Sequence, residues 1–398
     1  MSFRDYIYGI ASMILDALVA TKPKHWVFGA DQGNTYREGS KYLIEYMLKK
    51  HPEFDCTFIT INPNVESELR KKGIPVANNY SLRALYKIAS SDCVFVTQTT
   101  TDIKFSFKNK HKTLFYLVHG QPFKKALKML SEEDKEKLFN IQKQSRFVRF
   151  KDRLFKRLFW NYDDISFVSA TSEFTASLQR NEFPSTVGIK VLGMPRNDAL
   201  FDDIRMKTER WDPSFQDKFI VTYMPTHRKY GRGELSQTPF YSRDDVQQWM
   251  RENNVLLLIK QHPNMVHKIE RLEETDVIRN ISKAGYDPQV VIYHSDVLIT
   301  DYSSVWMDYL LLRRPLVFYF YDNFEEDDAG CYYDLRREFP NNWCEDEDGL
   351  FRMIKVALNN RSALLPSDSE VTKFHKFIDN KSCERYYNEI REMKYGKE

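Results

Sequence analysis

Five short clusters bring together side chains suited to phosphate and proton chemistry. They are His119-Gly-Gln-Pro-Phe-Lys124, Gly193-Met-Pro-Arg-Asn-Asp198, Tyr223-Met-Pro-Thr-His-Arg228, Lys260-Gln-His-Pro263 and Asp301-Tyr-Ser-Ser304. The first four each combine a turn former with a cation, an imidazole or an amide. A single His or Arg after a strand is usually structural or solvated, so the signal lies in the set. In the fifth, an apolar run turns sharply into a helix at Ser303 and Ser304, with Asp301 at the join. Such a helix start offers unpaired N–H groups, two hydroxyls and the positive end of the dipole, which together suit a phosphate. The dipole contributes ~0.3–1 kcal/mol per charge, so it assists without sufficing.

The elements that must hold these clusters alternate. Trp26–Gly29 reads as a strand entering a polar loop, 30–39, and a helix follows over Ser40–Lys50. Cys56–Ile61, Cys93–Val96, Thr113–Val118, Ile165–Ser169 and Lys190–Leu192 read as further strands. The pattern restarts with Phe219–Tyr223, Val255–Lys260, Val290–Tyr293, Val297–Thr300 and Leu316–Phe320. Apolar strands alternating with helices predict α/β architecture: two doubly wound, Rossmann-like parallel sheets, each covered on both faces. The polar stretch Asp198–Asp217 is the natural boundary, giving domains 1–205 and 206–398 with no sequence repeat between them. Ligands of such sheets bind at the carboxyl ends of strands. Every cluster lies at such an end, so the set is expected to converge on one cleft between facing domains.

The set resembles the CDP-glycerol glycerophosphotransferases of teichoic-acid and capsule synthesis. That family carries a His-Gly-Thr-Pro-type motif, Gly-Tyr-Pro-Arg-Asn-Asp, Tyr-Ala-Pro-Thr-x-Arg, Lys-x-His-Pro and Asp-Tyr-Ser-Ser. The likeness runs from about Trp26 to Asp334 and includes Arg314-Pro-Leu-Val-Phe-Tyr319. Gln121, Met194 and Met224 depart from it, standing where Thr, an aromatic and a small residue are usual. The resemblance implies a glycosyltransferase-B-like (GT-B-like) fold. It also implies transfer of glycerol phosphate from CDP-glycerol to a hydroxyl of a teichoic-acid-like or capsular polymer, or of its lipid-linked primer, with release of CMP. CDP-ribitol as donor, or sugar transfer from a nucleotide sugar, are the alternatives.

In that reaction the attacking alcohol must lose a proton, and imidazole is a suitable base. His119 is the candidate, with hydrogen bonding to donor phosphates as its other role. His262 either donates to the pyrophosphate or competes for the base role. Thr226, Arg228, Lys260, Asp301, Ser303 and Ser304 are expected to bind the donor, because stabilisation in phosphoryl transfer is mostly electrostatic. Asp301 orients a neighbour, contacts a donor hydroxyl or simply caps. Gly120, Arg196 and Asn197 are expected to line the cleft. No tightly bound cofactor is expected, though a divalent ion can stimulate. Asp346-Glu-Asp348 is read as solvated surface, not as a metal site.

The 398 residues carry a net charge of +3, too little to imply nucleic acid. The hydrophobic share of 42% and charged share of 29% fit a globular protein. The five cysteines lack metal spacing and suit a reducing compartment. Residues 143–160, within a basic stretch spanning 122–160, mix seven cations with one acid and several aromatics. Arg146, Arg149, Lys151, Arg153, Lys156 and Arg157 therefore make a candidate surface for an anionic membrane or polymer, against a solvated helix face as the alternative. Phe3, Ile7, Ile10, Ile14 and Leu18 fall at helical spacing, predicting an amphipathic helix that docks on the protein, the default, or on a membrane face. No stretch has the ~20 apolar residues of a membrane span. The expected location is the cytoplasm, peripheral on the inner face of the membrane.

Overall fold

The computed structural model describes residues 3–105, 111–125, 150–151, 154, 158, 164–226, 240–261, 274–321 and 330–396. The chain forms two units. The first comprises Met1–Gln121, Leu127–Asp198 and Asp379–Glu398; the second comprises Pro122–Ala126 and Ala199–Ile378.

The first unit is a seven-stranded sheet: β1 (Lys22–Phe28), β2 (Asp55–Thr60), β3 (Val76–Asn78), β4 (Ser91–Val96), β5 (Thr113–Tyr116), β6 (Ile165–Ala170) and β7 (Gly188–Val191). The order is β3-β2-β1-β4-β5-β6-β7, with every pair parallel. Its centre is an aromatic ladder. Phe28, Phe95 and Phe115 are in register on β1, β4 and β5. Their rings stack at 4.5 and 5.0 Å. Cross-strand aromatic pairs add roughly 0.2–1 kcal/mol each, so they help pin the register that aligns the strand ends.

Helices α1 (Phe3–Leu18), α2 (Glu38–Lys50), α3 (Pro63–Lys71) and α4 (Leu82–Ser90) precede or connect the early strands, and α5 (Glu173–Glu182) follows β6. The periodicity of α1 predicts a helix correctly, but the face it turns inward is the polar one. Asp5, Tyr8, Ser12 and Asp16 are buried, whereas Phe3, Ile7, Ile10, Ile14 and Leu18 are exposed. The reason lies in partners far along the chain. The Tyr80 hydroxyl donates to Asp5 at 2.5 Å, and the Tyr8 hydroxyl donates to the Asn79 carbonyl. The Lys112 ammonium sits 2.9 Å from the Asp16 carboxylate, and it also donates to the Ala89 carbonyl at 2.8 Å. Both side chains of that ion pair are essentially inaccessible, so the two charges are paired away from water, with α4 carbonyls adding acceptors for the ammonium.

The second unit is a six-stranded sheet, with β8 (Phe219–Met224), β9 (Val255–Ile259), β10 (Ile278–Asn280), β11 (Val297–Thr300), β12 (Leu316–Tyr319) and β13 (Trp343–Cys344). It too is parallel, in the order β10-β9-β8-β11-β12-β13. Residues 290–293, expected to be a strand, lie instead in the helix Pro288–His294. The Asp287 side chain caps that helix and Pro288 opens it, a start signal that outweighs the β-branched Val-Val-Ile run. Trp306 anchors the core of this unit, fully buried with its ring edge-on to Phe318, Phe339 and Phe374.

The domain bounds differ from 1–205 and 206–398. The crossover falls at 198–199, and the last twenty residues return to the first unit. The final helix, Ser382–Tyr395, is anchored there along its length. Its first amides, on Ser382 and Cys383, donate to the half-buried Asp198 carboxylate at 2.8 Å each. The Tyr386 hydroxyl bonds Ser169, and the Tyr395 hydroxyl reaches Asp92 at 2.5 Å. A polar boundary stretch marks one place where the chain passes between units; it carries no information about the short segment Pro122–Ala126 or about a helix that comes back.

Candidate active site

Each sheet has its switch in strand order beside its first strand, at β1/β4 and at β8/β11. The loops at those carboxyl ends are where a doubly wound sheet binds ligands.

In the first unit, His119 follows β5 on an exposed turn. Its Nδ1 lies 3.3 Å from the Thr97 carbonyl oxygen and 3.5 Å from the Tyr116 hydroxyl. A carbonyl can only accept, so the Thr97 contact requires the proton on Nδ1. The lone pair of a neutral ring is then on Nε2, the nitrogen free to take a proton.

The supports of His119 are buried. Asp102 is fully buried, and its carboxylate accepts from the Thr97 amide (2.7 Å), the Gln98 amide (3.0 Å), the Thr97 hydroxyl (3.1 Å) and the Gln32 amide (2.7 Å). Burial pushes the Asp102 carboxyl above its usual range, and those hydrogen bonds pull it back only in part. Asp102 thereby fixes both the loop after β4, which carries the Thr97 carbonyl, and the loop after β1. Gln32 adopts φ 55 there, and a Cβ at Gly29 would meet Ile103 at 2.5 Å, so only glycine fits.

Arg196 does not present its guanidinium to solvent. It is 6% exposed, and Nη1 donates to Glu38 and to the His119 carbonyl at 2.6 Å each. Its observed contacts therefore hold the His119 turn. Asn197 is likewise buried, with its amide on the Met194 carbonyl. Gly193 has φ +81, and a Cβ there would come 2.5 Å from Ser382 Oγ.

Gln121 and Met194, two of the departures from the family pattern, touch each other. The Gln121 amide nitrogen lies 3.3 Å from Met194 Sδ and 3.4 Å from the Ser169 carbonyl, and Gln179 donates to the Gln121 oxygen at 3.2 Å. Both are buried. They are a paired change in packing beneath the site.

In the second unit the third and fifth clusters meet. The buried Asp301 carboxylate accepts from the Thr226 amide at 2.8 Å and from its hydroxyl at 2.5 Å. This ties the end of β8 to the end of β11. Ser303 and Ser304 are half-buried, and Ser304 stands at the N-terminus of the short helix Val305–Leu310 without capping it through its side chain. Behind them the Tyr302 ring lies parallel to Phe123, which comes from the first cluster and belongs to this unit, as does Lys124 in its bridge to Cys331. Lys260 follows β9, its amide bonded to the Tyr223 carbonyl at 3.0 Å. His262, Arg228, Arg146, Arg149, Arg153, Lys156 and Arg157 lie outside the described residues, whereas Lys151 is described and exposed.

The acidic run has local duties. Asp346 caps the helix Glu347–Asn359 through the Gly349 amide at 2.6 Å, and Asp348 pairs with Arg243. Sequence reasoning missed Asp102, Glu38 and Thr97. The available signal was the polar run Thr97–Asp102 at the end of an apolar strand, the same cue that selected the other clusters.

Comparison with known proteins follows this geometry. Residues 11–392 match the family model described as CDP-Glycerol:Poly(glycerophosphate) glycerophosphotransferase. The teichoic acid poly(glycerol phosphate) polymerase of Bacillus subtilis (strain 168) is 28% identical over 331 residues, 80% of this chain. The chain spans only 42% of that polymerase's length. The teichoic acid glycerol-phosphate primase of the same strain is 25% identical, covering 83% of this chain and 81% of the primase. Among solved structures, the wall teichoic acid polymerase TagF superposes with a TM-score of 0.71 at 20% identity, covering 97% of this chain and 92% of that one. That likeness establishes a GT-B-like fold class, with two Rossmann-like units.

Proposed function

The chain is a member of the CDP-glycerol:poly(glycerophosphate) glycerophosphotransferase family, and we propose that it transfers glycerol phosphate from CDP-glycerol to a hydroxyl of a teichoic-acid-like polymer. The observation that carries this is the 3.3 Å contact between His119 Nδ1 and the Thr97 carbonyl oxygen. With Nδ1–H engaged by the Thr97 carbonyl, Nε2 is the basic nitrogen on an exposed turn. The acceptor oxygen bonds to the phosphorus that bears glycerol. The bond from that phosphorus to the bridging oxygen breaks, CMP leaves, and the hydroxyl proton passes to Nε2. Donor phosphates are assigned to the second unit's strand ends, with Ser303, Ser304 and Lys260, while Arg228 and His262 supply charge and hydrogen bonds by their place in the family motifs. Asp301 is assigned a supporting role, because its carboxylate holds Thr226.

CDP-glycerol is preferred to CDP-ribitol because both of the polymerase and primase relatives described above are glycerol-phosphate enzymes. The acceptor is proposed to be lipid-linked, with the enzyme peripheral on the membrane and the cations of 143–160 facing anionic lipid. A divalent ion is proposed to stimulate without residing in the site, so chelation should slow turnover without abolishing it. Incubation with radiolabelled CDP-glycerol and CDP-ribitol, each with lipid-linked and soluble polymer acceptors, tests the reading. Label from CDP-glycerol should enter the polymer, and product length separates priming from polymerisation. Incorporation only from CDP-ribitol, or none from either, refutes it.

A further inference from the structure

The stretch 31–38, between β1 and the first residue of α2, holds three residues other than glycine in the left-handed region: Asp31 (φ 49), Gln32 (φ 55) and Glu38 (φ 60). Gly33 among them has φ 83. Side chains are uncommon in that region, and a stretch with three of them must be held by its surroundings. The holding groups are explicit. The Asp31 carboxylate accepts from the Thr35 hydroxyl at 2.9 Å and from Arg37 at 2.7 Å. The Gly33 carbonyl accepts from the Thr60 hydroxyl at 2.7 Å, and the Asn34 carbonyl accepts from the Asn62 amide at 2.9 Å.

Two of the strained residues are tied to the His119 turn. The Gln32 and Thr97 backbone amides share the Asp102 carboxylate, and the Thr97 carbonyl faces His119 Nδ1. Glu38 pairs with Arg196, which also donates to the His119 carbonyl. The loop and the proposed base are thus fixed to one framework by two routes, all within the first unit. The side chains of Asp31 and Glu38 serve that framework. The Gln32 side chain does not: it is exposed and makes no hydrogen bond to a described residue. Glycine would adopt φ 55 without cost, so the strain is retained for what the side chain does outside the fold.

The loop stands at the carboxyl end of β1, beside the β1/β4 switch in strand order, where such sheets bind ligands. Donor phosphates are assigned to the second unit, which leaves this end of the first sheet for the acceptor. An uncharged primary amide carries two donor hydrogens and an accepting carbonyl. A polyol phosphate chain offers the counterparts, hydroxyls that donate and phosphodiester oxygens that accept. The Asp31 charge is offset by Arg37, so the loop does not repel an anionic chain. We propose that Gln32 is an acceptor-recognition residue, presenting its amide to the hydroxyl and phosphodiester oxygens of the terminal polyol phosphate unit. The inference rests on the transfer reaction proposed above and names the side chain that selects its acceptor.

The test titrates the full chain with a soluble glycerol phosphate oligomer by calorimetry, without donor, and then measures initial rates with CDP-glycerol and the same oligomer. Gln32→Ala and Gln32→Gly should each bind the oligomer about tenfold more weakly, the loss expected for one or two hydrogen bonds. Their kcat/KM for the oligomer should fall by a like factor, while KM for CDP-glycerol stays at the parent value. Gln32→Gly should melt no lower than the parent, since glycine relieves the strain. Gln32→Glu, alike in shape but anionic, should bind more weakly than Gln32→Ala in low salt, and the gap should close as salt rises. A role confined to the shape of the loop predicts parent affinity in Gln32→Gly. That result overturns the proposal, as does unchanged affinity in Gln32→Ala or a parent chain that does not bind the oligomer. Weakened binding in the variants of a parent that binds the oligomer but turns over no CDP-glycerol would overturn the proposed reaction and leave the subsite standing.

Discussion

Asp102 is where stability and catalysis should fall together. It lies outside the family motifs in the chain, yet in space its carboxylate gathers three amides and one hydroxyl. Asp102→Asn keeps the shape and removes the charge. If the amide oxygen faces Thr97 and Gln98, the NH2 group faces the Gln32 amide, and one bond becomes a clash of donors. The opposite rotamer sets NH2 against the Thr97 and Gln98 amides. A lost charge-assisted bond is worth about 1.5–3 kcal/mol, so Asn should cost about 2 kcal/mol. Asp102→Ala orphans all four donors and should cost about 4 kcal/mol, near the upper range for single substitutions. Denaturant unfolding of the parent and both variants measures this. The Thr97 carbonyl that fixes the His119 proton is mobilised in each, so kcat should fall more than KM rises. Two variants as stable as the parent, or an Asn variant with unchanged kcat, would refute the account of Asp102 as the support of His119.

Three other outcomes follow from the same geometry. His119→Ala should lose about 10²–10⁴-fold in kcat, the usual range for a general base, with an unchanged melting curve; a rise in KM at constant kcat would instead make His119 a phosphate ligand. Gly193→Ala should destabilise by about 1–3 kcal/mol, because φ +81 strains any side chain and its Cβ meets Ser382; thermal unfolding reads it, and Ser382→Gly in the same chain should recover only the steric part. Asp16→Asn should cost about 3–5 kcal/mol by removing the carboxylate paired with the buried Lys112 ammonium, and urea unfolding checks it.

Much of the architecture was legible because long apolar strands alternate with helices, and because polar clusters at their carboxyl ends are easy to see. The losses have local causes. Strands β3, β10 and β13 are two or three residues long, too short for any periodicity to show. Residues 290–293 carry strand-like side chains but follow an Asp-Pro helix start. The period of α1 was correct and its orientation was not, since Tyr80 and Lys112, which decide it, are 75 and 96 positions from Asp5 and Asp16 (80 − 5 and 112 − 16). In the site, His119 and Asp301 announced themselves by type and place. Arg196 reads as a cleft-lining residue and is engaged by Glu38 and the His119 carbonyl. A cation's partners are set by the fold, and its type alone does not reveal them.

The most direct measurement is the identity of the released nucleotide. With CDP-glycerol and a glycerol-phosphate polymer primer, phosphorus NMR should show CMP appearing in step with new phosphodiester, and neither in His119→Ala. Release of CDP, or CMP without new phosphodiester in the parent chain, would contradict transfer of glycerol phosphate at phosphorus.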